Sequence, residues 1–293
     1  MRTSRNGFVF AAALAAAGLA APLAHAQLSQ ADLGKNLEYQ QTGPATVVQY
    51  NGGVNAFLFA RAFFTTPGAY DGGSVTDTST LSSQGFNVAG NIGSPYVGYQ
   101  TGYQTQAALD AAYPTGDTYH LAATDSTLAN PDGLADVPYA NDLYTADVPT
   151  LTAATFVGLQ HINPAAATLI GFNSFTPNGL AGFGQGFLTI YDQTSALNVF
   201  NVAGFAPSTT SALVGAGVFT AGHTYTLELI FDDGVTGTDL ANNVGYTARS
   251  DVRTLDFFTV PLAVPEPAAW AMLLVGFGLV GAVLRHRPAR AAV

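Results

Sequence analysis

Two short acidic segments carry the oxygen side chains that calcium ions prefer. The first, NPDGLAD at 130–136, alternates them around a glycine turn, and the second, DDG at 232–234, follows a strongly apolar segment. Calcium binds several hard oxygens from a tight loop, so both segments are candidate sites. The candidate ligands are Asn130, Asp132, Asp136, Asp232 and Asp233. The first segment lacks the downstream bidentate Glu of an EF-hand, and turns stabilised by Asp and Asn are the more common reason for such segments.

Three tyrosines form a second candidate binding feature. Tyr96, Tyr99 and Tyr103 lie in a polar, glycine-rich segment that includes the tandem GYQTGYQT. Flat aromatic faces with hydroxyl groups can stack on sugar rings, so these residues are candidate glycan contacts. Tyrosine is also ordinary on a half-buried sheet, where it simply packs. The sequence leaves both interpretations open.

Residues for acid–base or nucleophilic chemistry are sparse. His120, His161 and His223 are scattered singly, without the H-x-x-H, H-E-x-x-H or G-x-S-x-G spacing of metal or nucleophile sites. The chain has no cysteine, which excludes a thiol nucleophile, an iron–sulfur cluster and a cysteine-bound zinc. Lys35 is the only lysine, and no phosphate-binding glycine loop accompanies it. We assign no catalytic residue, and we expect no enzyme and no cofactor apart from the calcium considered above.

The 293-residue chain is acidic, with 9 Lys and Arg against 19 Asp and Glu and a formal net charge of −10. Most of the basic residues lie near the two termini, so the central region is more acidic still. An acidic surface repels nucleic acid and anionic lipid headgroups, and it favours divalent cations and neutral glycans. We therefore expect no nucleic-acid partner.

Short apolar segments separated by glycine-rich turns fill the region 27–261, which must position these side chains. This pattern predicts an all-β body, an antiparallel β-sandwich or jelly roll. The segment HTYTLELIF at 223–231 alternates most clearly, and a polar loop is predicted after it at 232–243. Other predicted strands are 54–64, 118–121, 150–160, 168–175, 186–191, 198–204, 212–219 and 254–260. Short helices are predicted at 30–39 and 104–113, and a loop at 125–149.

The first 26 residues have the features of a secretion signal. Arg2 and Arg5 precede an alanine-rich apolar run at 7–21, and Ala24 and Ala26 form a small-x-small cleavage site. We expect a signal helix at 1–26 that the Sec translocon recognises and signal peptidase removes. The exported body would then be 27–261.

The C-terminal segment 264–290 contains a second targeting signal. The acidic turn PEP at 265–267 precedes an uncharged apolar run at 268–284, which is near the lower length limit for a bilayer-spanning helix. Trp270 lies where an interfacial aromatic residue would be, and a basic end at 285–290 follows. The basic residues are Arg285, Arg287 and Arg290. The sequence predicts a single transmembrane helix with a cytoplasmic basic end.

The order of these features resembles the PEP-CTERM sorting signal of Gram-negative bacteria, in its PEPxxWA variant. The matching residues are Pro265, Glu266, Pro267, Trp270 and Ala271. His286 and Pro288 interrupt the usual arginine run, which hardly affects the charge argument. The resemblance covers under a tenth of the chain. It implies that an exosortase, a membrane-embedded cysteine transpeptidase or protease, processes the tail near the Pro-Glu-Pro turn, and that the body is exported, often beside exopolysaccharide production.

The leading hypothesis from the sequence is an exported, non-enzymatic protein with a structural or adhesive role in the cell envelope or extracellular matrix, linked to exopolysaccharide. The inner membrane would hold its precursor transiently through the tail; an anchor that is never cut is the alternative interpretation. A carbohydrate- or calcium-binding module is the second hypothesis. A hydrolase of matrix polymer is the third.

Overall fold

A computed structural model describes residues 27–50, 54–65, 70–86, 96–127, 132–262 and 267–285. Several predictions from the sequence fall outside these ranges. They concern the signal peptide with Ala24 and Ala26, the candidate ligand Asn130, the motif residues Pro265 and Glu266, and the terminal Arg287 and Arg290.

The described chain consists mainly of β-strands. The strands are β1 (Leu28–Gly43), β2 (Thr46–Gln49), β3 (Ala56–Phe64), β4 (Gly72–Asp77), β5 (Ser83–Gly85), β6 (Tyr96–Tyr103), β7 (Asp117–Thr124), β8 (Gly133–Tyr139), β9 (Thr168–Gly171), β10 (Phe183–Asp192), β11 (Leu197–Phe205), β12 (Ser211–Val214), β13 (Thr224–Asp239) and β14 (Val244–Thr259). The helices are α1 (Gln106–Ala112), α2 (Ala153–Leu159) and α3 (Pro267–Arg285). The prediction of an all-β, sandwich-like body is confirmed.

The main sheet has eight strands in the order β11-β10-β13-β14-β1-β3-β6, with β2 paired to β1. Neighbouring strands are antiparallel except β1 and β14, which run parallel with Leu33 opposite Ala248. This parallel pair joins the first strand of the body to its last. Both edges of β1 are therefore hydrogen-bonded, to β14 and to β3, and β1 lies in the interior of the sheet.

Two smaller layers cover one face of the main sheet, which we call the core face. The sheet β5-β4-β7-β8 packs over β1 and β3, and buried Leu58 and Leu121 belong to that core. The two-stranded sheet β12-β9 and helix α2 cover β10 and β13, around Ile170 and Leu229. Each fully buried side chain of this size stabilises the fold by roughly 1.5–3 kcal/mol. Burial on the core face therefore stabilises the packing of the two smaller sheets against the main sheet.

The helix predicted at 30–39 is wrong, because this segment is the middle of β1. Leu33 and Leu37 are buried on the core face, whereas Asp32 and Asn36 lie on the opposite face. This is the two-residue period of a strand. Hydrogen bonding to two neighbouring strands and burial on both faces outweigh the weak local preference for helix.

Two further predictions are corrected in the middle of the chain. The strand predicted at 150–160 is mostly helix α2, which Thr152 caps by accepting a hydrogen bond from the Thr155 N–H. Such a cap stabilises a helix by about 1 kcal/mol. The loop predicted at 125–149 contains β8, which pairs with β7 along its length. The helix predicted at 104–113 is present as α1.

The polar loop predicted at 232–243 is also wrong over most of its length. Strand β13 continues to Asp239, and a short turn at 240–243 leads directly into β14. Asn243 in this turn has a φ of 54°, a left-handed conformation that Asn tolerates better than most residues. The polar residues 232–239 thus belong to a long hairpin in the centre of the main sheet.

The apolar tail predicted at 268–284 is helical, as α3. Its side chains at 271–281 are exposed. Among the residues that the structure describes, no helix combines the length and the apolar character that a membrane crossing requires. The helical part of this prediction is confirmed, and its transmembrane part is not.

Candidate functional site

Charged and aromatic side chains line the face of the main sheet opposite the core. Because side chains alternate along each strand, Asp32 points away from Leu33 and the core. The residues that share this face are Asp32, Asn36 and Glu38 on β1, Phe57, Phe59, Arg61 and Phe63 on β3, Phe183 and Gln185 on β10, Asp232 on β13, and Arg249, Asp251 and Arg253 on β14. We call this surface the polar face.

Two arginines of β14 join the carboxylates of the polar face. Arg249 lies between Asp32 and Asp232: its Nη1 is 3.3 Å from Asp232 Oδ2, and its Nη2 donates to Asp32 Oδ2. Arg253 binds Glu38 in a similar way, at 2.8 Å. Asp32 and Asp232 are almost fully buried. These ion pairs therefore belong to the folded framework rather than to a solvated surface.

Aromatic rings of the polar face lie over glycines of the neighbouring strand. Phe59 is opposite Gly34, and a Cβ atom at Gly34 would be only 2.1 Å from Phe59 Cζ. Phe183 is opposite Gly234 in the same manner. The guanidinium of Arg249 in turn lies 5.0 Å from the centre of the Phe59 ring, within cation–π distance. The glycines thus create the space in which these rings pack.

Asp232 and Asp251 lie directly opposite each other on β13 and β14. Burial raises the pKa of Asp251 well above its ordinary value, and the negative charge of Asp232 raises it further, against the lowering effect of Arg249. Asp251 therefore keeps its proton to a higher pH than an ordinary carboxyl, and when protonated it donates a hydrogen bond to Asp232. The polar face is less negative than its number of carboxyl groups suggests.

Asp32 has an unused hydrogen-bonding atom. Its Oδ2 binds Arg249 and is 3.8 Å from Arg61, whereas its buried Oδ1 has no hydrogen-bond partner among the described residues. Burial raises the pKa of Asp32, although the charges of Arg249 and Arg61 act to lower it. A buried polar atom left unsatisfied costs about 1–3 kcal/mol. Oδ1 has less than 1 Å² of accessible surface, so a ligand in the adjoining cavity would reach it only after a small shift of the Asp32 side chain.

A cavity of about 650 Å³ opens on the polar face beside Asp32. Its lining comes from six successive strands of the main sheet, through Phe63, Asp32, Arg249, Thr236, Gln185 and Phe205. Six strands would span about 24 Å in a flat sheet, at 4.7–4.9 Å per strand. Since one cavity touches all six, it extends across most of the width of the main sheet.

Apart from Asp232, which was a candidate calcium ligand, sequence reasoning did not single out these polar-face residues. They come from strands far apart in the chain, so no local motif contains them. One signal was present: Arg249, Asp251 and Arg253 alternate with residues of the core face in β14. Charges at every second position of a strand indicate a polar face with its own structure.

The two candidate calcium ligands of the second acidic segment lie on opposite faces of β13. Asp232 is on the polar face with Arg249, whereas Asp233 is on the core face and accepts a hydrogen bond from the Asn178 N–H at 2.7 Å. Neighbouring residues of a strand cannot converge on one ion. The segment belongs to strand β13 rather than to a turn, and the two carboxylates point to opposite faces of the sheet.

The described ligands of the first acidic segment are separated as well. Asp132 borders a small cavity near Gln27, while Asp136 lies within β8 and binds His120 Nδ1 at 2.7 Å. Within the described ranges, no group of three or more His, Asp or Glu side chains is placed to hold a metal ion.

The three candidate tyrosines lie on the edge strand β6, on both of its faces. Tyr99 and Tyr103 pack against the core that contains Leu58 and Leu121, and the ring of Tyr103 lies 6.2 Å from that of Tyr113. Tyr96 lies on the polar face, with its ring 5.2 Å from that of Phe63. The three rings therefore do not form one platform for a sugar.

Two of the three histidines bind carboxylates. His120 pairs with Asp136 across β7 and β8, and His223 Nδ1 is 2.8 Å from Asp192 Oδ2. Burial acts to raise the pKa of Asp192, but hydrogen bonds from His223 and from the residues that follow Asp192 lower it to about 2. Neither His lines the cavity of the polar face. His161 borders a separate cavity beside α2.

The C-terminal helix presents apolar side chains on all sides. Seven of them are between 51% and 78% exposed: Met272, Leu273, Leu274, Val275, Phe277, Leu279 and Val280. The nearby Gly276, Gly278 and Gly281 have no neighbouring atoms within 4 Å of an added Cβ. Exposed apolar surface of this extent marks a site that contacts another molecule or a lipid phase.

The fold and the tail together define a β-sandwich protein with an exposed apolar C-terminal helix. Residues 263–287 match the PEP-CTERM protein-sorting motif. The chain therefore carries a PEP-CTERM sorting signal, which implies an exported protein that an exosortase processes. The match includes all five motif residues predicted from the sequence and the first two of the three tail arginines.

Comparisons of the whole chain are less informative. No curated protein matches it. Among solved structures it is similar to a biofilm associated protein BSP domain (14% identity, TM-score 0.21, covering 71% of this chain and 28% of that one). It is also similar to the FN1-FN3 domains of chicken CNTN1 (5% identity, TM-score 0.24, covering 69% of this chain and 62% of that one). The chain thus spans less than two thirds of either structure.

Proposed function

We propose that this chain is exported, cut by an exosortase near the Pro-Glu-Pro turn, and delivered to the cell envelope or extracellular matrix. Its body, 27–261, then serves a structural or adhesive role beside exopolysaccharide and is not an enzyme. The tail at 264–290 directs sorting and is removed before delivery.

The sorting motif at 263–287 is the observation that carries this proposal. The exposed helix α3 adds a physical reason, because Leu274 and Phe277 are more than two thirds exposed and gain by contact with lipid or with an apolar groove. We propose that the precursor contacts the inner membrane through this helix until it is cut. The N-terminal signal, acting through the Sec translocon and signal peptidase, would bring it there.

The non-enzymatic role is supported by how the described histidines are used. His120 joins β7 to β8 through Asp136, and His223 joins β13 to the end of β10 through Asp192. Both pairs link neighbouring strands, as structural hydrogen bonds do. Release of sugars from matrix polymer by the purified protein would contradict this part of the proposal.

Mass analysis of the protein from separated cell fractions tests the sorting proposal. We expect the delivered form to begin at Gln27 and to end near 265–267. Replacing Pro265, Glu266 and Pro267 together by Ala should leave the tail attached. Leu262→Ala, at an exposed residue just before the motif, is the matched control and should be cut normally. Delivered protein that still contains 270–290 would contradict processing.

A further inference from the structure

The cavity on the polar face is not used by the sorting mechanism. We propose that it binds a neutral, hydroxyl-rich ligand, and that this ligand is a hexose unit of a neutral polysaccharide. The proposal rests on the adhesive role proposed above and gives that role a site and a class of partner. The volume of about 650 Å³ is within the roughly 300–1,000 Å³ typical of small-ligand sites.

The lining of the cavity offers both acceptors and donors. Gln30 and Gln185 line the cavity, and each uses one of its two amide N–H donors inside the protein, on Thr247 Oγ1 at 3.1 Å and on Asp232 Oδ2 at 3.0 Å. The carbonyl oxygen and the second N–H of each amide remain. The hydroxyl groups of a sugar, which both donate and accept, match this combination.

The charges around the cavity favour a neutral ligand. Asp32 is balanced by Arg249 and, at a longer distance, by Arg61. An anionic ligand would meet the Asp32 carboxylate and the acidic field of the body, and a cationic ligand would meet the Arg249 guanidinium. A polyol can form hydrogen bonds with groups of either charge without such repulsion.

Two aromatic side chains of the cavity suit the apolar face of a sugar ring. Phe63 and Phe183 are half-buried in the lining, whereas the ring of Phe205 packs over Gly186 and against Phe172 in the core. Phe183 is held over Gly234, so its ring position is fixed before any ligand arrives. Preorganised rings lower the entropic cost of binding. Gln185 lies two residues from Phe183 on the same face of β10, so ring stacking and hydrogen bonding can act on one unit.

The test uses the protein purified in the form that the cell exports. Cellohexaose and maltohexaose serve as neutral probes and oligogalacturonate as an acidic one, with calorimetry for affinity and amide NMR for the location of binding. We expect at least one neutral probe to bind and to shift the amides of Gln185, Gly204, Thr236 and Thr247, which line the cavity. We expect oligogalacturonate to bind more weakly than that neutral probe.

Two variants test the assigned contacts. Asp32→Asn weakens the acceptor, and Phe183→Ala removes a wall; each should weaken binding about ten- to a hundred-fold. Phe257→Ala is the matched control, because Phe257 is 40% exposed and stacks on Tyr50 outside the cavity. It should bind like the unchanged protein. The NMR map on the unchanged protein keeps the test decisive if a variant fails to fold.

Three results would overturn the proposal. They are no binding of either neutral probe, shifts confined to the tyrosines of β6, and folded Asp32 and Phe183 variants with unchanged affinity. This test is independent of tail processing. A protein that is cut normally but binds no neutral sugar loses only the sugar site, and one that keeps its tail but binds sugar loses only the sorting proposal.

Discussion

Asp32 and Lys35 are both buried charges on β1, yet they lie on opposite faces of the main sheet. Lys35, on the core face, is 1% exposed, and its Nζ is 2.8 Å from Asp110 and 2.9 Å from Asp142. It also lies 5.1 Å from the centre of the Tyr139 ring. Asp32, on the polar face, is bound through Oδ2 alone, and its Oδ1 has no partner among the described residues.

The two charged groups differ in whether the chain supplies hydrogen-bond partners for their polar atoms. The donors of Lys35 are used by carboxylates that remain partly in contact with water, so the group is complete within the chain. Asp32 is incomplete, although it is as deeply buried. Unsatisfied buried polar atoms are uncommon in folded proteins and call for a specific explanation. Asp233 Oδ1 and Asp256 Oδ2 on the core face also lack a partner among the described residues, and Asp32 differs from them because it lines the cavity.

The largest expected effect comes from removing the cation between the two buried carboxylates of the polar face. Arg249→Met should lower the free energy of unfolding by about 3–5 kcal/mol, because it leaves Asp32 and Asp232 buried without their partner. Chemical denaturation at neutral pH measures this. The loss should shrink at acidic pH, where the carboxylates can take up protons.

Lys35→Met is the matched change on the core face and should cost less, about 1–3 kcal/mol. Its partners Asp110 and Asp142 are 33% and 27% exposed, so water can solvate them once the lysine is gone. If Lys35→Met destabilised the protein as much as Arg249→Met, the contrast between the two faces would be wrong.

Asp256 extends the comparison, because it is a buried carboxyl that forms no ion pair with an arginine among the described residues. It is 3% exposed on the core face, and burial raises its pKa to about 7, against the lowering effect of the Phe257 N–H. Its ordinary value is 3.8. Between these values the folded protein binds more protons than the unfolded chain, so stability falls as pH rises from about 4 to about 7, by about 2–4 kcal/mol from this residue.

Urea unfolding across that pH window measures the slope. Asp256→Asn mimics the protonated form and should make the slope shallower, while Asp32 and Asp251, whose pKa values are also raised, still contribute to it. Asp192→Asn is the control: the pKa of Asp192 is lowered to about 2, so its contribution to stability is lost only as pH falls below about 4. An Asp256→Asn variant with the same slope as the unchanged protein would contradict the assignment of Asp256.

Burial of polar residues by strands that are distant in the sequence explains the main errors in the predicted fold. Alternation within 223–231 was enough to identify part of β13, because that apolar face is visible locally. The helix predicted at 30–39 and the loop predicted at 232–243 failed because their polar residues are buried by distant partners. Gly34 lies opposite Arg249, which no local window can show.

The sorting motif and the cavity differ in whether consecutive residues of the chain form them. The sorting motif is a run of consecutive residues, so 265–271 could be recognised directly. The cavity requires β1, β10 and β14 to meet, and its key pair, Asp32 and Arg249, is separated by 217 positions. The sequence left open whether the tyrosines of β6 stack on sugars or pack in the protein, and strand alternation divides them between the two faces of the sheet.

The smallest expected effect tests whether the Phe59 ring is tightly packed on the polar face. Gly34→Ala should lower the free energy of unfolding by about 1–3 kcal/mol, because the new Cβ would displace the Phe59 ring. Gly158→Ala in α2, which has open space around it, should instead stabilise the protein by about 0.5–1 kcal/mol. Thermal unfolding of both variants gives the comparison. If the two substitutions were equally harmless, Phe59 would not be fixed over β1, and the open atom of Asp32 could then find a partner through rearrangement rather than through a ligand.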